Sequence, residues 1–170
     1  GSSHVREKDG LWAVLMWLSI VSATGQGVAD VLAAHWASYG RHRFQRRDYA
    51  IADAARGDAL MAALRQLLPQ LAGARPAGGT ITLADDFEYH DPVDGSVSRH
   101  QGIRLAMDDG SRIVYRLSGT GTAGATLRVY LEQYEPPGAA PRDLAGLAAI
   151  AAQLARVAHY AGSDDPALVV

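Results

Sequence analysis

The sequence contains no cysteine and carries almost no net charge. Without a thiol, disulfide bonds and thiolate chemistry are excluded, and the composition is consistent with a reducing compartment such as the cytoplasm. The formal net charge is only −2, so the chain as a whole does not have the charge of a polyanion-binding protein. Any site for a phosphate group must therefore be local.

A long apolar run is also missing. The longest, residues 11–23, is shorter than the roughly 20 residues that cross a bilayer, so no membrane partner is expected. No signal peptide pattern precedes it. We predict a buried helix instead. Few other elements are placed to cover such a helix, which suggests that the chain belongs to a longer protein.

Nearly half of the 170 residues are apolar, which is enough for a real core. The length suits one medium domain, or one small domain with part of another. Spacings of three and four predict helices over residues 7–24 and 28–39, ended by Gly25, Gly27 and Gly40. The basic, aperiodic residues 41–47 are interpreted as a connector.

Beyond residue 48 the pattern predicts a helix, four strands and a helix. The first helix carries apolar residues at 60, 61, 64, 67, 68 and 71, and Pro69 is expected to kink or shorten its last turn. The strands are predicted at 80–89, 103–107, 112–117 and 127–132, with a hairpin at 108–110. The last helix is predicted from 141 to about 160. One apolar sheet face covered by two helices makes an α+β two-layer domain.

Residues 119–124 read GTGTAG and match G-x-G-x-x-G. A dinucleotide site requires a helix directly after the glycines, whereas residues 125–135 alternate with the period of a strand, and the lysine of a P-loop is absent. The hydroxyls of Ser118, Thr120 and Thr122 and the backbone N–H groups of the glycines still favour an anion.

An arginine stands at each end of this loop. Arg116 and Arg128 are expected on adjacent strands, where two guanidinium groups match the oxygens of a phosphate. A flexible glycine hairpin with two solvated arginines is the open alternative.

Three segments together resemble the phosphoglucomutases within the phosphohexomutases. They are HVREKDGLWA at 4–13, FEYHDPVDGS at 87–96 and RLSGTGTAGATLR at 116–128. The resemblance implies that residues 1–45 are the C-terminal helices of a third domain. It also implies that residues 46–170 are a fourth, phosphate-binding domain with a fold like the TATA-box-binding protein, a four-stranded antiparallel sheet covered by two helices.

This resemblance also implies a reaction. Such enzymes interconvert glucose 1-phosphate and glucose 6-phosphate through a phosphoserine and glucose 1,6-bisphosphate, the intermediate and activator, with Mg²⁺ beside the phosphoserine. The fourth domain holds the phosphate that is not reacting. Position by position, the resemblance carries substrate phosphate binding to these residues: Arg116, Ser118, Gly119, Thr120, Gly121, Thr122 and Arg128. Lys8 is a tentative catalytic residue, with His4 and Arg6 near the site.

The serine, metal and sugar-selecting loops of such enzymes are absent from this sequence. The resemblance therefore implies that Mg²⁺ binds to upstream domains, that no metal site lies in this chain, and that the chain alone is inactive. Two alternatives remain open: a stand-alone phosphosugar-binding module without catalysis, and a phosphomannomutase.

Two charged clusters have other interpretations. The acidic segment 85–94 suggests a metal site or, more simply, a turn in which Pro92 and Gly95 take part; the turn is favoured. The arginines at 41–47 suggest RNA, but no nucleic-acid partner is predicted because the chain is slightly acidic.

Overall fold

The computed structural model describes residues 9–76, 79–119 and 124–170. These residues form two compact units. The first consists of the described part of Gly1–Arg41 together with Pro136–Ala139, and the second consists of His42–Glu135 and Ala140–Val170.

The first unit is built on two helices, α1 (Gly10–Thr24) and α2 (Val28–Tyr39). The Asp9 carboxylate caps α1 by accepting the Trp12 N–H at 2.9 Å, as N-cap residues do. Gly25 ends α1 in the left-handed conformation, with φ of 65°. The predicted ends of both helices at Thr24 and Tyr39 are therefore confirmed. The predicted start of the first is wrong at Asp9, which is extended, so that α1 begins at Gly10; residues 7 and 8 lie outside the described residues.

The prediction that α1 is a buried helix is wrong in this structure. No residue of α1 is buried, and Leu11 and Leu15 are 80% and 63% exposed. The helix is apolar on all sides, a pattern typical of helices enclosed on every face. The described part of the first unit, two helices with short connecting segments, offers too few neighbours to enclose α1. Among the described residues no single helix is long and apolar enough to cross a membrane; α1 and α2 pass such a test only jointly, and they are bent by 85°.

The second unit is an α+β domain, as predicted. Its six-stranded sheet has the order β2-β5-β6-β7-β1-β8, and a separate ribbon pairs β3 with β4. The strands are β1 (Arg41–Ile51), β2 (Ile81–Asp86), β3 (Tyr89–His90), β4 (Val97–Ser98), β5 (Ile103–Met107), β6 (Arg112–Gly119), β7 (Ala125–Glu135) and β8 (Leu168–Val169). The helices are α3 (Ala54–Leu71), α4 (Ala145–Leu154) and α5 (Val157–Ala161).

One face of the sheet carries the core. Because side chains alternate along a strand, every second residue of β5, β6 and β7 points to this face. Most of them pack against α3, α4 and α5 and are at most 5% exposed, whereas Leu117 and Gln133, nearer the strand ends, are only partly buried. The core residues of the three strands are Ile103, Leu105, Met107, Ile113, Tyr115, Leu127, Val129 and Leu131. Burial raises the pKa of the Tyr115 phenol, whose O–H donates to the Ala151 carbonyl at 2.9 Å.

The interpretation of residues 41–47 as a connector is wrong, because they begin β1. The alternation of this strand is not visible in the sequence because several of its residues are arginines. Such long side chains can be partly buried along their aliphatic part while the charged end contacts a partner. Arg43 Nε donates to Glu135 Oε1 at 2.7 Å, and the Arg41 guanidinium lies 4.1 Å from the centre of the Trp36 ring. With β1 and β8, the sheet has two strands more than the sequence predicts.

Two other boundaries differ. The strand predicted at 80–89 ends as β2 at Asp86. Phe87 still exchanges backbone hydrogen bonds with Gly102 and Gln101, at 2.7 and 2.9 Å, and Tyr89 and His90 then pair with β4. Pro69 does not shorten α3, which continues to Leu71. The hairpin at 108–110 is confirmed: Gly110 has φ of 81° and its N–H donates to the Met107 carbonyl at 3.1 Å.

The helix predicted from 141 to about 160 is broken into α4 and α5. The break lies at Arg156, whose φ of 48° and ψ of 47° are left-handed, a conformation that costs a non-glycine residue roughly 1–2 kcal/mol. Among the described residues the Arg156 side chain forms no ion pair and no hydrogen bond that would offset this cost.

Replacement of Arg156 by glycine should therefore stabilise the fold. We expect R156G to raise the free energy of unfolding by roughly 0.5–1 kcal/mol, the relief of strain less the extra entropy of glycine in the unfolded chain. Urea denaturation measures the change. The control is A149G, a substitution at an exposed position inside α4. It should lower the free energy of unfolding by about 1 kcal/mol. A loss of stability in R156G as well would contradict the prediction.

Candidate functional site

The face of the sheet opposite the core carries the polar residues. The residues of β6 and β7 that point to this face form four directly opposed pairs. The pairs are Arg112 with Glu132, Val114 with Tyr130, Arg116 with Arg128, and Ser118 with Thr126. The sequence predicts the two arginines on adjacent strands next to the glycine loop, and the register confirms that they are neighbours; Thr126 beside Ser118 was not predicted.

The two arginine pairs on this face are opposite in kind. Arg112 faces a carboxylate and forms an ion pair with Glu132, whose other oxygen lies 2.7 Å from His42 Nδ1. Arg116 faces Arg128, four residues along the same strand. Opposite charges directly across from each other stabilise a sheet, and like charges destabilise it by up to about 1 kcal/mol. The second pair is therefore unfavourable for the fold by itself.

Neither arginine of this pair is fully neutralised. Arg116 is exposed and forms no ion pair among the described residues. The nearest acid to Arg128 is Asp48 on β1, whose Oδ2 lies 3.9 Å from Arg128 Nε. That Nε is buried and has no hydrogen-bond acceptor among the residues that the structure describes. The pair is a local positive centre on a slightly acidic chain, which suits an anion with several oxygens.

Gly102 sits beside Arg116, just before β5. Its φ is 156°, and a Cβ there would lie 2.9 Å from the Tyr115 carbonyl oxygen and 3.0 Å from Arg116 Cγ. The absence of a side chain leaves room for the stem of Arg116. Next to Gly102 and Arg116 lies a groove of about 290 Å³, lined by Phe87, Tyr89, Ser98, Gln101, Gly102, Arg104, Val114 and Arg116.

The groove is braced by ion pairs. Asp85 accepts from Arg104 with both oxygens, at 2.9 and 2.5 Å. The hydrogen bonds that Arg104 donates to Asp85 raise the pKa of Arg104. Its guanidinium lies 4.3 Å from the centre of the Phe87 ring. The neighbouring Asp86 is partly desolvated, which raises its pKa, but hydrogen bonds from Arg65 and His100 outweigh this effect and hold the pKa below its usual value.

The other predicted site residues are placed as follows. Ser118 and Gly119 end β6, two and three residues beyond Arg116. Thr120, Gly121 and Thr122, and likewise Lys8, His4 and Arg6, lie outside the described residues. The strand predicted after the glycines is confirmed, because β7 begins at Ala125; this agrees with the rejection of a dinucleotide site.

Only the end of the acidic segment 85–94 forms a turn, because Asp85 and Asp86 end β2 and Tyr89–His90 form β3. Asp91 Oδ1 accepts the Val93 N–H at 2.7 Å, and Asp94 Oδ1 accepts the Ser96 N–H at 2.8 Å. Gly95 completes the turn with φ of 72°. Within residues 9–76, 79–119 and 124–170, no group of three or more metal-ligating side chains comes together.

Sequence reasoning missed Asp48 and Gly102. Neither belongs to a recognisable motif, and Asp48 follows a basic segment that was interpreted as a connector. The one available signal was the pairing of strands: once β1 is placed beside β7, a carboxylate in β1 comes near an arginine in β7.

Comparison with known families gives two matches along the chain. The family described as the phosphoglucomutase-1 C-terminal domain matches residues 41–167. The family described as phosphoglucomutase/phosphomannomutase α/β/α domain III matches residues 2–39. Together they account for almost all of the sequence.

Individual relatives point to the same family. A phosphoglucomutase of Rhizobium radiobacter is 49% identical over 99% of this chain and 32% of its own length. A cytoplasmic phosphoglucomutase of Populus tremula is 46% identical over 99% of the chain and 33% of its own length. The crystal structure of pp63/parafusin, a phosphoglucomutase from Paramecium, matches with a TM-score of 0.83 and 36% identity, over all of this chain and 31% of that one.

The chain thus spans about a third of the length of the relatives it matches. The motifs, the α+β sheet and both family matches agree on one assignment: this chain belongs to the phosphoglucomutase family.

Proposed function

We propose that the second unit anchors the phosphate of a sugar phosphate between Arg116 and Arg128. The observation that carries the proposal is their direct opposition across β6 and β7. A cross-strand pair of like charges weakens the sheet unless an anion lies between them. Each guanidinium offers a planar set of N–H donors that fits phosphate oxygens, and such charge-assisted bonds are about twice as strong as neutral ones.

The position of the pair supports this reading. Ser118 and Thr126 lie directly beyond it towards the loop, so hydroxyl donors are available on the same face. Arg112 provides the internal comparison, because it lies on the same strand and face but is already neutralised by Glu132. Of the four opposed pairs that the structure describes on this face, the pair next to the glycine loop is the one whose positive charge is not neutralised.

We infer that the whole protein interconverts glucose 1-phosphate and glucose 6-phosphate through a phosphoserine and glucose 1,6-bisphosphate. In this scheme residues 46–170 form the fourth domain and hold the phosphate that is not reacting, and residues 1–45 end the third. Binding energy from a remote phosphate orients the reacting end and lowers the entropic part of the barrier. The names of the plant relatives support a cytoplasmic location.

Mg²⁺ would be bound by the other domains of the enzyme. The described residues include no cluster that fits such an ion, so no step of the chemistry is assigned to a metal on this chain. The relatives are about three times as long, which supports partner domains of the same enzyme that carry the phosphoserine and the metal.

Removal of Arg116 should abolish most of the affinity for the phosphosugar. We expect R116A to weaken binding of glucose 1-phosphate at least tenfold, which corresponds to the loss of roughly 1.5–3 kcal/mol from charge-assisted hydrogen bonds. An amide NMR titration of the chain measures this, with glucose as the unphosphorylated control ligand. In the wild type the shifts should concentrate between residues 116 and 128.

The matched control is R112A. It removes the same charge from the same strand and face, but about 13 Å away at 3.3 Å per residue, beyond the screening length of about 10 Å at 0.1 M salt. The affinity of R112A for glucose 1-phosphate should stay close to that of the wild type. An equal loss in R112A and R116A would show that net charge alone, and not the arginine pair, attracts the ligand.

The chain alone should not catalyse the reaction, because it lacks the serine and metal loops of the family. We expect no glucose 6-phosphate to form from glucose 1-phosphate at any concentration of the isolated chain, with the cofactor Mg²⁺ and glucose 1,6-bisphosphate present. Turnover that rises in proportion to chain concentration, and survives removal of contaminating enzyme, would refute this.

A further inference from the structure

Asp48 continues the row of charges that crosses the open face of the sheet. The row runs from Arg116 on β6 to Arg128 on β7 and on to Asp48 on β1. Asp48 is only 8% exposed. A carboxylate that is removed from water to this extent costs free energy unless cations or donors compensate it.

Its two oxygens have different environments. Oδ1 accepts from Arg46 Nε at 2.9 Å. Oδ2 lies 3.9 Å from the buried Arg128 Nε, the donor that lacks an acceptor among the described residues. One oxygen is thus held by a full hydrogen bond, while the other has only the electrostatic contact with Arg128.

The backbone around Asp48 is well fixed. Its carbonyl accepts the Ala167 N–H at 2.8 Å, and the neighbouring Arg46 exchanges two backbone hydrogen bonds with Val170, at 2.9 and 3.0 Å. A short side chain on such a strand has little freedom. Arg128, by contrast, has a long side chain that is 42% exposed, and it faces a like charge that would drive it away.

We propose that Asp48 is the positioning residue of the phosphate site. Its carboxylate attracts the Nε side of Arg128, keeps that guanidinium opposite Arg116 against their mutual repulsion, and leaves the terminal nitrogens to the phosphate oxygens. This inference rests on the proposed anchoring function. It gives Asp48 a role in the site although the residue does not touch the ligand.

The direction in which phosphate affinity changes when Asp48 is neutralised separates a positioning role from a simple charge effect. A carboxylate near an anion site repels the anion, so its neutralisation alone should strengthen binding. If Asp48 positions Arg128, its neutralisation should weaken binding, because one of the two cations is no longer held in place. The two accounts therefore predict opposite changes.

The test is a titration of this chain with inorganic phosphate, followed by NMR at the Arg128 Nε–H signal and at the backbone amides. We expect D48N to bind phosphate about tenfold more weakly, the equivalent of one lost charge-assisted contact, and to shift the Arg128 Nε–H signal before phosphate is added. D48E keeps the charge paired with Arg46 but displaces it by one methylene, and should bind with intermediate affinity. It replaces D48N as the test if the asparagine variant does not fold.

E132Q is the matched control. Glu132 lies on the same face, and its side chain is 14% exposed against 12% for Asp48, but it pairs with Arg112 and His42. It should leave both phosphate affinity and the Arg128 signal unchanged. A merely structural role for Asp48 would not move the Arg128 signal selectively.

The outcomes separate this inference from the proposed function. If the wild-type chain binds phosphate and the folded Asp48 variants bind equally or more tightly, the positioning role is wrong and the arginine anchor stands. If the wild-type chain does not bind phosphate, the anchoring function fails and the role of Asp48 fails with it. Weaker binding in the Asp48 variants together with unchanged binding in E132Q supports both.

Discussion

The antiparallel pairing of β6 with β7 determines both the core and the candidate site. In a strand the side chains alternate, so one register places Tyr115 and Leu127 in the core and Arg116 beside Arg128 on the other face. A slip of one of these strands by one residue would exchange its two faces and send its arginine towards the helices. The burial of the apolar residues therefore fixes the position of the cationic ones.

The charges of the open face divide into two groups. Arg112 with Glu132, and Arg104 with Asp85, are complementary pairs that are complete within the fold. Arg116 and Arg128 are not, and their repulsion is a local cost in stability. Proteins retain such costs mainly at functional sites, where a ligand removes them. The charge pattern on a single face thus separates residues that support the sheet from residues that are available to a ligand.

The sequence predicted the strands whose apolar residues alternate cleanly, β5, β6 and β7, and through them the arginine pair. It did not predict β1, because half-buried arginines at alternate positions resemble a solvated linker. The break at Arg156 gave no signal either, since arginine is a good helix former and left-handed backbone is rare for it. Asp48 was invisible for a different reason: its proximity to Arg128 joins residues 80 positions apart and depends on the order of strands in the sheet.

The division of the chain into two units also separates its chromophores. All three tryptophans, Trp12, Trp17 and Trp36, lie in the first unit. The second unit contains tyrosines but no tryptophan, and one of them, Tyr115, is fully enclosed. Tryptophan emission therefore reports mainly on the two apolar helices and on Arg41, the first residue of β1, which lies over the Trp36 ring, whereas tyrosine signals in the near ultraviolet come mostly from the sheet domain. Two optical signals from one unlabelled chain thus report on the two units to different extents, and a tryptophan melting curve contains no signal from a tryptophan in the unit that carries the arginine pair.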